Sequence, residues 1–292
     1  MDANNKLSLL ASVMIILLTN SADPRSDGEF IGDLLVTKTT YEASFGGSEK
    51  MSAVLNATRT RLQMVGESCV ALQINALIRH VHVRKLYDLC ANSMAIFNDA
   101  SWCDVFTLED LRIMEYWLDL KHYWRKSYGY KINYHISCQL LQHIFSTLED
   151  AMMDERTVLS NHDNSPVGVF RFGHAETFLP LLSILGLYKD EDNILRYDNY
   201  HSNRNRTFRT SKLSPFAGNI AFVLYSCTDS TGNSMYMIEV LLHEQPVTLP
   251  CCTSTLCSYD VIKQFYSTWL EDCDFTEICR MRNEKLPSKD EL

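Results

Sequence analysis

The chain contains no apolar run long enough to cross a bilayer as a helix. The stretch Leu7 to Leu18 falls short of the roughly 20 residues such a span needs, so no membrane span is expected. Positive charge is scarce as well. Lys and Arg number 27 against 36 Asp and Glu, a formal net charge of −9. That balance argues against a nucleic-acid partner, since such binders are normally basic. Any anionic ligand must then be held by a local cluster of cations. Internal repeats and low-complexity tracts are missing, which excludes a solenoid or a fibrous array. No C-x-x-C pair accompanies Cys251, Cys252 and Cys257, so disulfides are a better reading of them than a metal site.

What is present is globular in composition. An apolar fraction of 46% and a charged fraction of 22% over 292 residues suit one large or two smaller domains. Near the N-terminus, Lys6 precedes the apolar Leu7 to Leu18, and Thr19, Ser21 and Ala22 are small residues suited to cleavage. Residues 1–22 therefore read as a secretory signal peptide. The chain closes on Lys289-Asp290-Glu291-Leu292, an address read by the endoplasmic reticulum retention receptor. Together these predict an endoplasmic reticulum lumen protein. Ten cysteines fit that oxidising compartment, and Cys273 and Cys279 are near enough in sequence to pair locally. Asn56-Ala57-Thr58 and Asn205-Arg206-Thr207 are glycosylation acceptors.

Hydrophobic periodicity organises the rest. Val70 to Ile78 reads as a buried strand running into Arg79-His80. Residues 107–153 read as helical. Thr107 with Asp110 resembles a capping box, and Leu111, Met114, Trp117 and Leu118 form one face. Leu141, Ile144, Phe145 and Leu148 form a second stripe at helical spacing. A strand over 167–172, also of buried appearance, and a helix over 178–185 follow, with Gly186 as its C-cap. Ile220 to Tyr225 and Met235 to Leu242 read as paired strands. Ser258 caps a helix with Ile262, Phe265, Tyr266 and Trp269 on one face. The expected division is 1–22 signal, 23–89 an N-terminal segment with the first core strand, 90–160 a helical subdomain, and 161–292 an α/β half.

The chemistry gathers at Gly173-His174-Ala175-Glu176-Thr177, where a strand gives way to a helix. A helix N-terminus favours anions. A histidine there can hold a phosphate, and a carboxylic acid two residues on can pass a proton to a leaving group. By itself H-x-E equally suits a structural histidine beside a capping glutamate.

Two strand ends taken together carry more. Leu77-Ile78-Arg79-His80 and Phe172-Gly173-His174-Ala175-Glu176 resemble the histidine acid phosphatases, marked by R-H-G-x-R-x-P early and H-A-E or H-A-D late. Trp102-Cys103-Asp104-Val105-Phe106, Asp119-Leu120-Lys121, Tyr128-Gly129-Tyr130 and Phe222-Val223-Leu224-Tyr225 extend the likeness to the branch of that family acting on inositol polyphosphates. The resemblance implies an α/β fold: a histidine-phosphatase-like core sheet flanked by helices, here with a reduced helical insert. It implies a phosphomonoesterase working through a phosphohistidine on a small anionic phosphorylated substrate, with no cofactor and no metal. His80 would be the nucleophile, Arg79 and Arg84 would hold phosphate oxygens, and His174 would hold the phosphate from the second strand. Glu176 would protonate the leaving oxygen and then activate water.

After Arg79-His80 the chain departs from the pattern. Val81-His82-Val83-Arg84-Lys85 stands where Gly-x-Arg-x-Pro is expected, and Arg84 falls one position late. The alternative is thus a catalytically inactive or truncated lumenal family member that at most binds anionic ligands. Lys121, Arg125 and Lys126 line up at helical spacing as a basic face, either solvated or touching outer phosphates. Arg204, Arg206 and Arg209 in a polar loop carry the same two readings.

Overall fold

The computed structural model describes residues 14–19, 50, 52–58, 80–157, 168–190, 194–228 and 234–280. The chain divides into two compact units. One comprises residues 1–23, 126–189 and 213–284, the other 24–125, 190–212 and 285–292. Among the described residues no helix is long and apolar enough to cross a membrane.

The first unit is built on a sheet. Its strands are β1 (Met14–Thr19), β2 (Gly168–Gly173), β3 (Asn219–Thr228), β4 (Ser234–Leu242), β5 (Gln245–Val247) and β6 (Leu256–Ser258). The order is β2-β1-β3-β4-β5, with β6 also on β4. β1 runs parallel to β2 and antiparallel to β3, and β3 and β4 form the expected antiparallel pair. Alternation decides which face is covered. Ile220, Phe222 and Leu224 lie opposite Leu242, Val240 and Ile238, and all six are at most 4% exposed. Tyr236 shares that face and donates to Met152 O at 3.3 Å, so the helix carrying Met152 lies on it.

After the helical residues 52–58 come, in chain order, α1 (His80–Phe97), α2 (Leu108–Lys126), α3 (Lys131–His135) and α4 (Cys138–Thr157). Met152 belongs to α4, whose stripe Leu141, Ile144, Phe145 and Leu148 is buried, as the spacing predicts. Next come α5 (Ala175–Ile184), α6 (Thr210–Leu213), α7 (Tyr259–Phe265) and α8 (Ser267–Glu271). Phe145 meets Tyr259 and Tyr266 with ring centroids 5.9 and 6.4 Å apart. A Cys138–Cys273 disulfide ties the start of α4 to the chain after α8. Cys273 therefore does not pair with Cys279.

Other expectations for this unit change as well. Met14–Thr19 falls inside the run read as a signal peptide, yet it is an inner strand of the sheet. Met-Ile-Ile-Leu-Leu-Thr has the length and continuous apolarity of a doubly flanked strand as well as of a leader core. Among the described residues β2 is an edge strand rather than a buried one. Arg171 faces His143 of α4 at 3.1 Å, while Phe170 and Phe172 on the opposite face are 55% and 72% exposed. Phe265, expected on the covered face of its helix, is 52% exposed.

The second unit holds α1 and most of α2. The capping box is as predicted. Thr107 N–H donates to Asp110 Oδ2 at 2.8 Å, and Asp110 N–H donates back to Thr107 Oγ1 at 3.2 Å. The buried face of α2 is Ile113, Met114, Tyr116, Leu120, Tyr123 and Trp124. Of the four residues expected there, only Met114 is fully covered. A Cys90–Cys103 disulfide joins α1 to the short turn at Ser101–Cys103.

Candidate active site

β2 ends at Gly173, and His174 follows with extended backbone (φ −114°, ψ 178°). Its carbonyl accepts the N–H groups of Thr177 at 2.9 Å and Phe178 at 3.0 Å, so His174 is the N-cap of α5. Glycine at 173 has a steric reason. A Cβ there would meet Thr177 Cβ at 3.3 Å, so strand and helix turn more tightly than a side chain easily allows. Glu176 occupies the first turn of α5, where the helix dipole favours a carboxylate. Pro180 lies inside α5. It lacks the N–H that would bond the Glu176 carbonyl, which loosens the helix at that residue. The rest of α5, Phe178 to Ile184, is buried all round, so this first turn is set by packing.

The partner of Glu176 comes from the end of α2. Lys126 Nζ donates to Glu176 Oε1 at 2.6 Å, with the lysine side chain 13% exposed and the glutamate side chain 58%. The residues after Lys126 hold it there. Ser183 Oγ donates to Leu179 O at 2.8 Å, so its single proton is used. Ser127 Oγ must therefore donate to Ser183 Oγ, 2.6 Å away. Tyr128 OH donates to Leu187 O at 2.7 Å, and Asn133 Nδ2 donates to Ser127 O at 3.0 Å. Burial pushes the Glu176 carboxyl up. The Lys126 hydrogen bond and charge outweigh it, aided by a backbone hydrogen bond and His174, and the net position is below the ordinary carboxylate range. At neutral pH Glu176 is a carboxylate. It can accept a proton from water, and it can donate one only after the Lys126 contact loosens or the pH falls.

The other expected site residues belong to the second unit. Arg79 and the strand expected over Val70 to Ile78 lie outside the described residues. His80 does not end a strand; it opens α1. The residues after it explain this. Without a glycine to turn the chain, Val83, Tyr87 and Cys90 recur at helical spacing, with Val83 and Cys90 buried. Arg84 sits on α1 with its guanidinium 4.9 Å from the centre of the Trp117 ring and 4.0 Å from Asp88.

Sequence reasoning missed the role of Glu115 and Asp119. They stand one turn apart on α2. Arg206 Nε donates to Asp119 Oδ2 at 2.7 Å, and Thr210 N–H and Oγ1 donate to Oδ1 at 2.8 and 2.6 Å. Arg209 makes two hydrogen bonds to Glu115, at 3.2 and 2.6 Å. Burial pushes the Asp119 carboxyl up to about 6 against the pull of Arg206 and Thr210. Arg206 and Arg209 are thus engaged by carboxylates within the unit. The only signal in the sequence was the i, i+4 spacing of the two acids.

Comparison with known proteins decides the family. Residues 21–243 match the Histidine phosphatase superfamily (branch 2). The chain belongs to this superfamily. Curated relatives are the multiple inositol polyphosphate phosphatase 1 proteins of Gallus gallus and Homo sapiens. The first is 38% identical over 204 residues, covering 70% of this chain and 45% of the relative. The second is 39% identical over 205 residues, covering 70% and 41%. The chain thus spans less than half the length of the curated relatives it matches. Among solved structures, the Bifidobacterium longum multiple inositol polyphosphate phosphatase in complex with inositol hexasulfate superposes with a TM-score of 0.59. It shares 18% identity and covers 83% of this chain and 56% of that one. The α/β reading and the histidine phosphatase fold hold, and the H-A-E segment lies inside the matched superfamily region.

Proposed function

We propose that this chain is a phosphomonoesterase of the histidine phosphatase type acting on inositol polyphosphates. The observation that carries the reading is Glu176, a carboxylate in the first turn of α5 two residues after His174 and 2.6 Å from the Lys126 ammonium. In this reading the His80 imidazole attacks the phosphorus and forms phosphohistidine. Arg79, Arg84 and His174 hold the phosphoryl oxygens, whose charge grows in the transition state. Glu176, protonated once the Lys126 contact loosens or the pH falls, gives its proton to the leaving inositol oxygen, then takes one from the water that cleaves the phosphohistidine. The names of the relatives support the substrate class.

The lumenal reading rests on Lys289 to Leu292, which the retention receptor holds, with glycans on the exposed Asn56 and Asn205.

The test is phosphate release from inositol hexakisphosphate by the purified chain, with His80→Ala and Glu176→Gln beside it. Glu176→Gln is expected to lose about 10²- to 10⁴-fold, the usual worth of a positioned acid–base group. An unchanged His80→Ala variant removes the nucleophile assignment. A second reading, an inactive member that binds inositol phosphates, is favoured by Val81 following His80 directly in α1. Binding of inositol hexakisphosphate without turnover in the parent chain selects it.

A further inference from the structure

The segment between β5 and β6 holds the sulfurs of Cys251 and Cys252, and β6 holds that of Cys257, all within 4.8 Å of one another. Cys252 and Cys257 form a disulfide, and Cys251 is a free thiol with its Sγ 3.5 Å from that of Cys252. We propose that this trio is a disulfide-exchange site in which Cys251 and Cys252 alternate as the partner of Cys257.

Exchange proceeds by thiolate attack on a disulfide sulfur. Here Cys251, deprotonated, attacks Cys257 Sγ. The Cys251–Cys257 bond forms and the Cys252–Cys257 bond breaks. Cys252 Sγ leaves with the electron pair and takes up the proton that Cys251 released. The number of thiols and of disulfides is unchanged, so no oxidant or reductant is consumed. Attack on Cys252 instead would join sequence neighbours in a cramped ring and release Cys257 as the free thiol.

The location gives the exchange a consequence. Pro250, beside Cys251, packs against the far end of α5: its Cγ lies 3.0 Å from where a Cβ on Gly186 would stand. Gly186 follows α5 with φ +74°. Tyr266 OH donates to Leu185 O at 2.7 Å. Burial first, then the charge of a Cys251 thiolate, push the Tyr266 hydroxyl up. Moving Cys257 from Cys252 to Cys251 shifts the loop that clamps the C-terminal end of α5, the helix whose first turn carries Glu176.

The experiment uses the full chain under non-reducing conditions. Free thiols are blocked with an alkylating reagent, either at once or after native incubation. The modified cysteines are then located by fragmentation mass spectrometry. Disulfide reshuffling runs over seconds to hours, which sets the incubation. The expected result is label on Cys251 at once, and on both Cys251 and Cys252 when reagent is added in small amounts over the incubation. Cys251→Ser should abolish all label at Cys252. A second variant, Cys252→Ser, should form the Cys251–Cys257 bond and lose both thiols to alkylation. Label at Cys251 but never at Cys252 in the parent chain, at any time, overturns the proposal. So does a cooperatively folded Cys252→Ser variant in which Cys251 and Cys257 both remain alkylatable.

Discussion

Lys126 and Glu176 form an ion pair of 2.6 Å although 50 residues separate them, with the lysine nearly covered and the carboxylate half open. The ammonium keeps the carboxylate ionised, so the lysine sets the pH at which Glu176 carries a proton. Lys126→Met removes the dominant lowering influence and leaves burial, which raises it. The Glu176 carboxyl then titrates at higher pH. If the protonated acid is the working form, the alkaline limb of kcat moves to higher pH in Lys126→Met and returns in Lys126→Arg. A limb that stays in place in both variants disconnects the pair from proton transfer.

Asp119 and Arg206 make a buried ion pair, with side chains 0% and 3% exposed. Asp119→Ala strands the guanidinium and is expected to cost about 3–5 kcal/mol by urea unfolding, as for other broken buried pairs. Replacing both partners, Asp119→Leu with Arg206→Met, should recover much of that loss because no buried charge is left. A double variant no more stable than the single one would show that the network does more than neutralise itself.

The helix carrying Glu176 was legible because its signals are local. His174, the apolar run behind it and Gly186 lie within one short segment, and the capping box at Thr107 and Asp110 is equally compact. What could not be read depends on partners distant in sequence. Cys138 finds Cys273 across 135 residues, where nearness in sequence favoured Cys279. Lys126 looked like one of several cations on a helix face, and nothing in the spacing pointed to Glu176. Phe170 and Phe172 have the composition of a buried strand, yet they lie 55% and 72% exposed on the face opposite Arg171, and which face of a strand is covered is a property of tertiary packing.

Gly186→Ala tests the end of α5. The residue has φ +74°, where an L side chain is strained by about 1–2 kcal/mol. The added methyl would also press on Pro250 Cγ at 3.0 Å. Thermal unfolding should show a lower Tm, with Gly186→Asn less affected by its backbone than by its bulk. An unshifted Tm for Gly186→Ala would mean the turn relaxes freely.

Removing the Cys138–Cys273 bridge with Cys138→Ser should destabilise the first unit by about 2–5 kcal/mol in non-reducing buffer. With reductant present, parent and variant should become equally stable. Equal stability of parent and variant before reduction would mean that the bridge adds nothing to the helices it joins.

The position of Met14–Thr19 bears on the order in which the molecule comes together. This strand is synthesised long before its partners, yet it hydrogen-bonds to Gly168–Gly173 on one side and to residues 219–223 on the other. It must wait, apolar and unpaired, until both of them exist. Pairings this remote in sequence close slowly, and a waiting apolar strand is a site of aggregation. A segment made early thus folds late, and the yield of native protein depends on what shields it in the interval.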